Sequence, residues 1–143
     1  MATERRAEVV WTGDLMSGSG TIGVVGSGAF GPLDVSWPSR AEEPNGRTSP
    51  EELIAAGWAA CFAMALSNGL ATAGTPPERL ETSATVTFQP GQGIVRGALT
   101  VRGAVPGLDA DGFRAAAETA KANCPVSKAL AGIPEVTLEA TLA

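Results

Sequence analysis

PEELIAAGWAACFAMALSNGLATAG, residues 50–74, is the stretch on which the reading of this chain turns. Two carboxylates open it, and no further charge follows until Glu78. Ser49 or Thr48 can cap a helix here, Pro50 suits its first position, and Glu51 and Glu52 complement the positive end of its dipole. Gly74, with Pro76 and Pro77 beyond, marks the end. The run is apolar almost all the way round, which a surface helix of a small domain cannot be. One sheet covers one side of such a helix. In a chain of 143 residues the other side calls for a second copy, and Ala55, Ala56, Gly57, Ala59 and Ala60 let two such helices approach closely. An obligate homodimer is the expectation, its interface resembling a core cut in half. The run is long enough to cross a bilayer. It is, however, rich in Ala and Gly, carries Ser67, Asn68 and Thr72, and lacks flanking basic clusters and aromatic belts, so no membrane partner is expected.

Outward from the helix, the chain reads as runs of strands separated by helices. Before it, residues 7–11 suggest a first strand, Leu15 to Gly28 one or two strands broken by glycines, and residues 29–49 mostly loop, with a short extended segment at Val35–Trp37. After it, Leu80 to Phe88 alternates as a half-buried strand, Pro90-Gly91-Gln92-Gly93 turns, and Ile94 to Val105 pairs back. A second helix spans Ala110–Ala122, Asn123-Cys124-Pro125 breaks it, another turn or two covers Val126–Leu130, and Glu135–Leu142 closes as a strand. The pattern predicts an α+β fold with antiparallel sheets, as a single domain over residues 1–143.

Composition removes several function classes. A net charge of −5 and no basic block speak against nucleic-acid binding. The histidine count is zero, which excludes Ser-His-Asp and Cys-His catalysis and any histidine metal site; two cysteines alone cannot build a structural zinc site. No metal is expected. Gly18-x-Gly20-x-x-Gly23 satisfies a dinucleotide pattern but sits in a strand-like run rather than opening a helix, so no cofactor is expected either. The start, MATERRAEVVW, has no long apolar core of a signal peptide, and a cytoplasmic location is expected. There, two cysteines are thiols or a cycling pair rather than a staple.

Cys61 lies mid-helix, where the dipole cannot activate it, and on position alone a buried structural cysteine is an equal reading. Cys124, followed by Pro125, stands at a helix start, where a thiol pKa falls. Glu51 and Cys61 are ten positions apart, about 15 Å along one helix, and cannot touch within it. Antiparallel crossing of two copies brings Glu51 of one to Cys61 of the other. Activation of Cys61 then needs a cation, and Arg40 and Arg47 are the nearest in the preceding loop. An arginine held by a glutamate is a rigid charge able to lower a thiol pKa.

Thr48-Ser49-Pro50-Glu51-Glu52-Leu53, running on to Ala60-Cys61-Phe62 and Met64-Ala65-Leu66, resembles the TNPEEL–ACF–AL block of the OsmC/Ohr family of hydroperoxide reductases. Lys121-Ala122-Asn123-Cys124-Pro125-Val126-Ser127 is similar to its second motif, K-A-x-C-P-V-S. Trp11-x-Gly13-Asp14 and Val105-Pro106-Gly107-Leu108-Asp109 match as well, so the likeness covers nearly the whole chain. It implies an intertwined homodimer of central helices wrapped by β-sheets, with cysteines from one chain and Arg and Glu from the other at each site. It implies Cys61 as peroxidatic thiol, Cys124 as resolving thiol and Glu51 as the carboxylate. The Ohr branch carries its arginine in the Gly-rich region near the start, where this chain has none from Ala7 to Ser39. The OsmC branch carries it before the TNPEE block, which makes Arg40 the preferred candidate and Arg47 the alternative.

The expected function is a thiol-dependent peroxidase acting on organic hydroperoxides and more weakly on hydrogen peroxide. It forms a Cys61 sulfenic acid and then a Cys61–Cys124 disulfide, which a dithiol reductant, lipoyl-type or another small thiol, restores. Phe62, Trp58 and Met64 are the apolar surroundings expected to favour organic substrates. The alternative is a redox-sensing or hydrophobic-ligand-binding module built on the same cysteine pair.

Overall fold

The computed structural model describes all 143 residues. Their contacts divide the chain into two compact units, Met1–Leu53 and Ile54–Ala143.

The first unit holds an antiparallel meander of β1 (Val9–Thr12), β2 (Ser19–Ile22) and β3 (Leu33–Val35). Of the strand-like stretch from Leu15 to Gly28, only β2 is a regular strand, although the Gly23 and Gly26 N–H groups beyond it still donate to the Glu8 and Arg6 carbonyls; residues 14–18 form a turn, closed by the Asp14 carboxylate accepting from the Ser17 N–H and hydroxyl. Gly20 is required in β2 because a Cβ there would come within 2.8 Å of the Trp11 ring. The loop expected over residues 29–49 contains a helix, α1 (Trp37–Ala41). Ser36 and Ser39 cap it reciprocally, each side chain accepting from the other's backbone N–H, and Pro38 lies in the first turn. Proline density suggested a loop; the same proline, one turn into a capping box, starts a helix instead. The Ser39 hydroxyl also lies 3.2 Å from the Thr48 carbonyl, tying α1 to the segment that enters the next helix.

That helix, α2, is unbroken from Pro50 to Thr72. Ser49 Oγ accepts from the Glu52 N–H, and the Thr48 hydroxyl donates back to the Glu52 carboxylate, so the entry is capped as the sequence suggests. At its far end Gly74 takes φ 92° and Thr75 N–H reaches back to the Leu70 carbonyl.

The second unit is built on β4 (Arg79–Gln89), β5 (Gly93–Ala104) and β6 (Glu135–Leu142), with β5 in the middle. β4 and β5 form the expected hairpin. One pairing departs from the antiparallel expectation: β6 runs parallel to β5. The reason lies in the connection, since the chain leaves β5 through α3 (Ala110–Asn123) and α4 (Pro125–Ala129) before entering β6. A helical crossover returns the chain to the same end of the sheet and so aligns the strands.

Alternation in β4 and β5 turns Leu80, Ala84 and Val86 and then Leu99 and Val101 toward one face. Onto it pack a stripe of α2 (Trp58, Phe62, Leu66, Leu70) and one of α3 (Phe113, Ala117, Ala120), ending in Cys124. Each large side chain fully buried here is worth about 1.5–3 kcal/mol against exposure. Two inward positions of β5 are glycine because rings lie directly over them. A Cβ on Gly97 would stand 2.5 Å from the Trp58 ring, and one on Gly103 would stand 2.6 Å from that of Phe113. Gly97→Ala is therefore expected to cost about 1–3 kcal/mol by overpacking, read as a lower urea midpoint at unchanged slope. An unmoved midpoint would contradict the close approach.

The expected burial of α2 on all sides is not met within a single chain. Beyond its buried stripe, Ala56, Gly57, Ala60 and Met64 are exposed, Met64 at 72%. By length and composition alone α2 is apolar enough to cross a membrane, with 22% of its most apolar window buried. Nor is the exposed apolar surface confined to α2: Val9, Val10, Met16 and Val24 in the first unit are each more than half exposed.

Candidate active site

Two pairs of the residues singled out by sequence are assembled, one pair in each unit. In the first, Arg40 and Glu51 form a forked ion pair. Arg40 Nε donates to both carboxylate oxygens at 2.8 and 3.1 Å, and Nη2 lies 2.7 Å from Oε1. Glu51 is buried, at 6% exposure, and Arg40 half-buried. The geometry arises locally. α1 fixes the Arg40 backbone, the first turn of α2 fixes Glu51, and the Ser39–Thr48 contact holds the two together. A bidentate guanidinium–carboxylate contact orients the charge as well as neutralising it. Arg47, the alternative cation, is exposed just beyond the Asn45–Gly46 turn, while Arg40 occupies the Glu51 carboxylate.

Beside Arg40 lies a cleft of about 360 Å³ walled by Trp11, Leu15, Ile22, Val35, Trp37 and Leu53. Sequence reasoning missed it. The signal was the apolar content of β1 and β2 together with Trp37 only three residues from Arg40, but which strand faces which helix is not written in any one segment. The residues expected to supply apolar surroundings are disposed differently: Trp58 and Phe62 are core residues with 1% and 0% exposure, and of the three only Met64 is open.

In the second unit the Cys61 and Cys124 sulfurs lie 2.8 Å apart, both as free thiols. A disulfide bond is about 2.05 Å, so bond formation needs only a small closing movement. The two thiols differ in access. Cys124 is completely buried, whereas Cys61 is half-buried. They differ in acidity too. Burial pushes the Cys61 thiol up, as does its hydrogen bond with Cys124, and the Val126 N–H only partly opposes this. Burial also pushes the Cys124 thiol up. The Cys61 thiol, the Ser127 N–H and hydroxyl and the Val126 N–H outweigh it, and the net shift is downward. No group of three or more Asp, Glu, Cys or His side chains is arranged to hold a metal.

The family described as OsmC-like protein matches residues 43–139, a span that holds Glu51, Cys61 and Cys124 and begins just after Arg40. The chain belongs to the OsmC family. The Escherichia coli (strain K12) protein named Peroxiredoxin OsmC is 39% identical over 142 residues, which are 97% of this chain and 96% of that one. The Bacillus subtilis (strain 168) protein named Organic hydroperoxide resistance protein OhrA is 38% identical over 115 residues, 75% of this chain and 78% of the relative. Among solved structures, an organic hydroperoxide resistance protein from Elizabethkingia anophelis superposes over 100% of both chains with a TM-score of 0.73 at 25% identity. The α+β architecture is thus that of OsmC/Ohr proteins.

Proposed function

We propose that this OsmC-family chain is a thiol-dependent peroxidase that reduces organic hydroperoxides, and more weakly hydrogen peroxide, acting as a homodimer. The observation that carries the reading is the pair of sulfurs 2.8 Å apart with one reachable and the other sealed. The reachable thiol, Cys61, is the one a hydroperoxide meets. Its thiolate attacks the terminal oxygen, the O–O bond breaks, an alcohol leaves, and Cys61 becomes a sulfenic acid. Cys124 then displaces hydroxide from that sulfur to form the disulfide, the reversible rung of the oxidation ladder. A small dithiol, lipoyl-type or similar, returns both thiols.

Cys61 needs a cation, since its surroundings in its own unit raise its pKa. The Arg40–Glu51 pair is the built cation–carboxylate unit. Because α2 is one unbroken helix, Glu51 stands about 15 Å of rise from Cys61, which supports delivery of the pair by a second copy. The exposed Ala56, Gly57, Ala60 and Met64 on α2 and the bare valines of β1 offer the apolar surface such a copy covers. The cleft beside Arg40 accommodates the apolar tail of an organic hydroperoxide. The whole chain then works as one OsmC/Ohr-like domain. A thiol cycle of this kind fits the reducing cytoplasm.

The test is consumption of cumene hydroperoxide by the wild-type chain with a dihydrolipoyl dithiol, together with light scattering for a mass twice 14.4 kDa. Consumption no faster than in protein-free buffer sinks the enzymatic reading, and a monomer at micromolar concentration sinks the shared site. Cys124→Ser is expected to consume its first equivalent of hydroperoxide and then to over-oxidise, gaining two oxygens at Cys61 by intact mass. Its multiple turnover should fall about tenfold or more, because no resolving thiol protects the sulfenic acid.

A further inference from the structure

Trp58 and Ser127 tie together the two segments that carry the thiols, by a contact the reaction above does not use. The Trp58 indole Nε1–H donates to Ser127 Oγ at 2.8 Å, across 69 positions of sequence. On α2, Trp58 stands three positions before Cys61, so the two side chains are neighbours one turn apart. Ser127 stands three positions after Cys124, in α4. The bond therefore crosses from α2 to α4 beside the point where the two sulfurs lie 2.8 Å apart. Its two ends are held unequally. Trp58 is fixed: its exposure is 1%, and Cζ3 and Cη2 of its ring lie over Gly97 of β5, where an added Cβ would stand 2.5 Å from both. α4 is lightly held. It has five residues, none of them fully buried, and it follows the break at Cys124, whose φ of −57° and ψ of 124° end α3. Val126 packs partly against the core. Few buried contacts mark the segments of a fold that open most readily.

Resting on the peroxidase reading, we propose that the Trp58–Ser127 hydrogen bond holds Cys124 against Cys61, which makes both side chains positioning residues for disulfide formation. An indole N–H only donates, and Trp58 is buried, so Ser127 Oγ is the acceptor that satisfies it. Without that oxygen, α4 seated on α2 leaves a buried donor unmet, and outward movement of α4 relieves it by admitting water. Cys124 moves with α4, because its carbonyl accepts the Lys128 N–H at 3.0 Å. Thiols held in contact react as though at very high concentration, and the advantage falls when one of them is free to leave. In the resolving step Cys124 Sγ attacks the Cys61 sulfur of the sulfenic acid. The S–O bond breaks, and the oxygen leaves as hydroxide that takes up the Cys124 proton, so the products are the disulfide and water. Cys124 sulfur is oxidised in this step and Cys61 sulfur reduced. Speed matters there, since a second hydroperoxide oxidises an unresolved sulfenic acid irreversibly.

The experiment uses the full-length protein in two assays. In the first, its dithiol and disulfide forms are equilibrated in mixtures of reduced and oxidised dithiothreitol and quantified by quenched intact mass, with no hydroperoxide present. In the second, reduced protein meets excess cumene hydroperoxide without reductant, and intact mass separates the disulfide from over-oxidised Cys61. Ser127→Ala should lower the disulfide-to-dithiol ratio about tenfold, the order of a buried donor left without its acceptor. It should raise the over-oxidised share in the same variant. Ser127→Thr, which keeps the hydroxyl, should match wild type in both assays. Trp58→Phe, which keeps a ring and loses the donor, should shift both in the same sense by a smaller factor. When the two substitutions are combined their effects should not multiply, because each alone already removes the whole bond. A wild-type ratio in Ser127→Ala overturns the proposal, even if its urea midpoint falls. So does a Ser127→Thr ratio as low as that of Ser127→Ala, or a double variant whose shift is the product of the single ones. If Ser127→Ala does not fold, Trp58→Phe decides: an unchanged ratio overturns the positioning role, and a lowered one supports it. Failure of the peroxidase reading is visible separately, as wild-type protein that ignores hydroperoxide yet still reaches its disulfide equilibrium with dithiothreitol.

Discussion

Cys61→Ser should lose at least about a thousandfold in turnover of organic hydroperoxides, the scale on which removal of an attacking nucleophile is felt. Oxygen for sulfur is a change of one atom, so packing against the core around Phe62 and Ala65 is kept and a folded variant is expected. The chemistry is not kept. A thiolate attacks peroxide oxygen, whereas a serine hydroxyl stays protonated at neutral pH and no histidine exists in this chain to take its proton. The comparison with Cys124→Ser is decisive: Cys61→Ser should consume no first equivalent at all, and Cys124→Ser should consume one. Stopped-flow mixing with one equivalent of hydroperoxide, read by intact mass, separates them. Turnover by Cys61→Ser within tenfold of wild type would remove Cys61 from the reaction.

Arg40→Ala should lower kcat/KM for an organic hydroperoxide by about 10²–10³, the usual cost of removing a fixed donor aimed at developing charge. In the proposed dimer two effects add in one direction: the Cys61 thiol would lose the cation that offsets its burial, and the cleaving oxygen would lose its donor. Arg40→Lys should recover only part of this, because Glu51 is gripped through Nε and Nη2 together and an ammonium cannot reproduce that fork. Arg47→Ala should stay within about twofold, being an exposed charge that does not engage Glu51. Steady-state kinetics, with the pH dependence of Cys61 alkylation, checks both. Arg40→Ala should move that alkylation to higher pH, since removing a positive neighbour raises a thiol pKa. Loss of activity in Arg47→Ala with Arg40→Ala near wild type would reverse the assignment.

The catalytic candidates were legible because each rests on a local rule. Ser49-Pro50-Glu51-Glu52 reads as a capped start, Cys124-Pro125 as a break followed by a new helix, and the alternation from Leu80 to Phe88 as a half-buried strand. The structure has all three. What was not legible involved partners far apart in sequence. Nothing near Ser127 announces Trp58 as its donor, and nothing near Gly97 says that an indole lies over it. α1 was missed for a different reason: a proline read as a breaker is a starter when a serine stands two positions before it.

Sequence by itself determined the apolar helix, its ends, the thiols and the carboxylate, because periodicity, caps and residue chemistry act over a few neighbouring positions. Tertiary structure alone decided that Arg40 rather than Arg47 grips Glu51, that Cys124 is sealed while Cys61 is reachable, and that β6 lies parallel to β5. It also decided that α2, apolar all round, is covered by its own chain along only one stripe. Side-chain reach, burial and crossover direction depend on where distant segments meet in space, and that is settled only when the whole chain has folded.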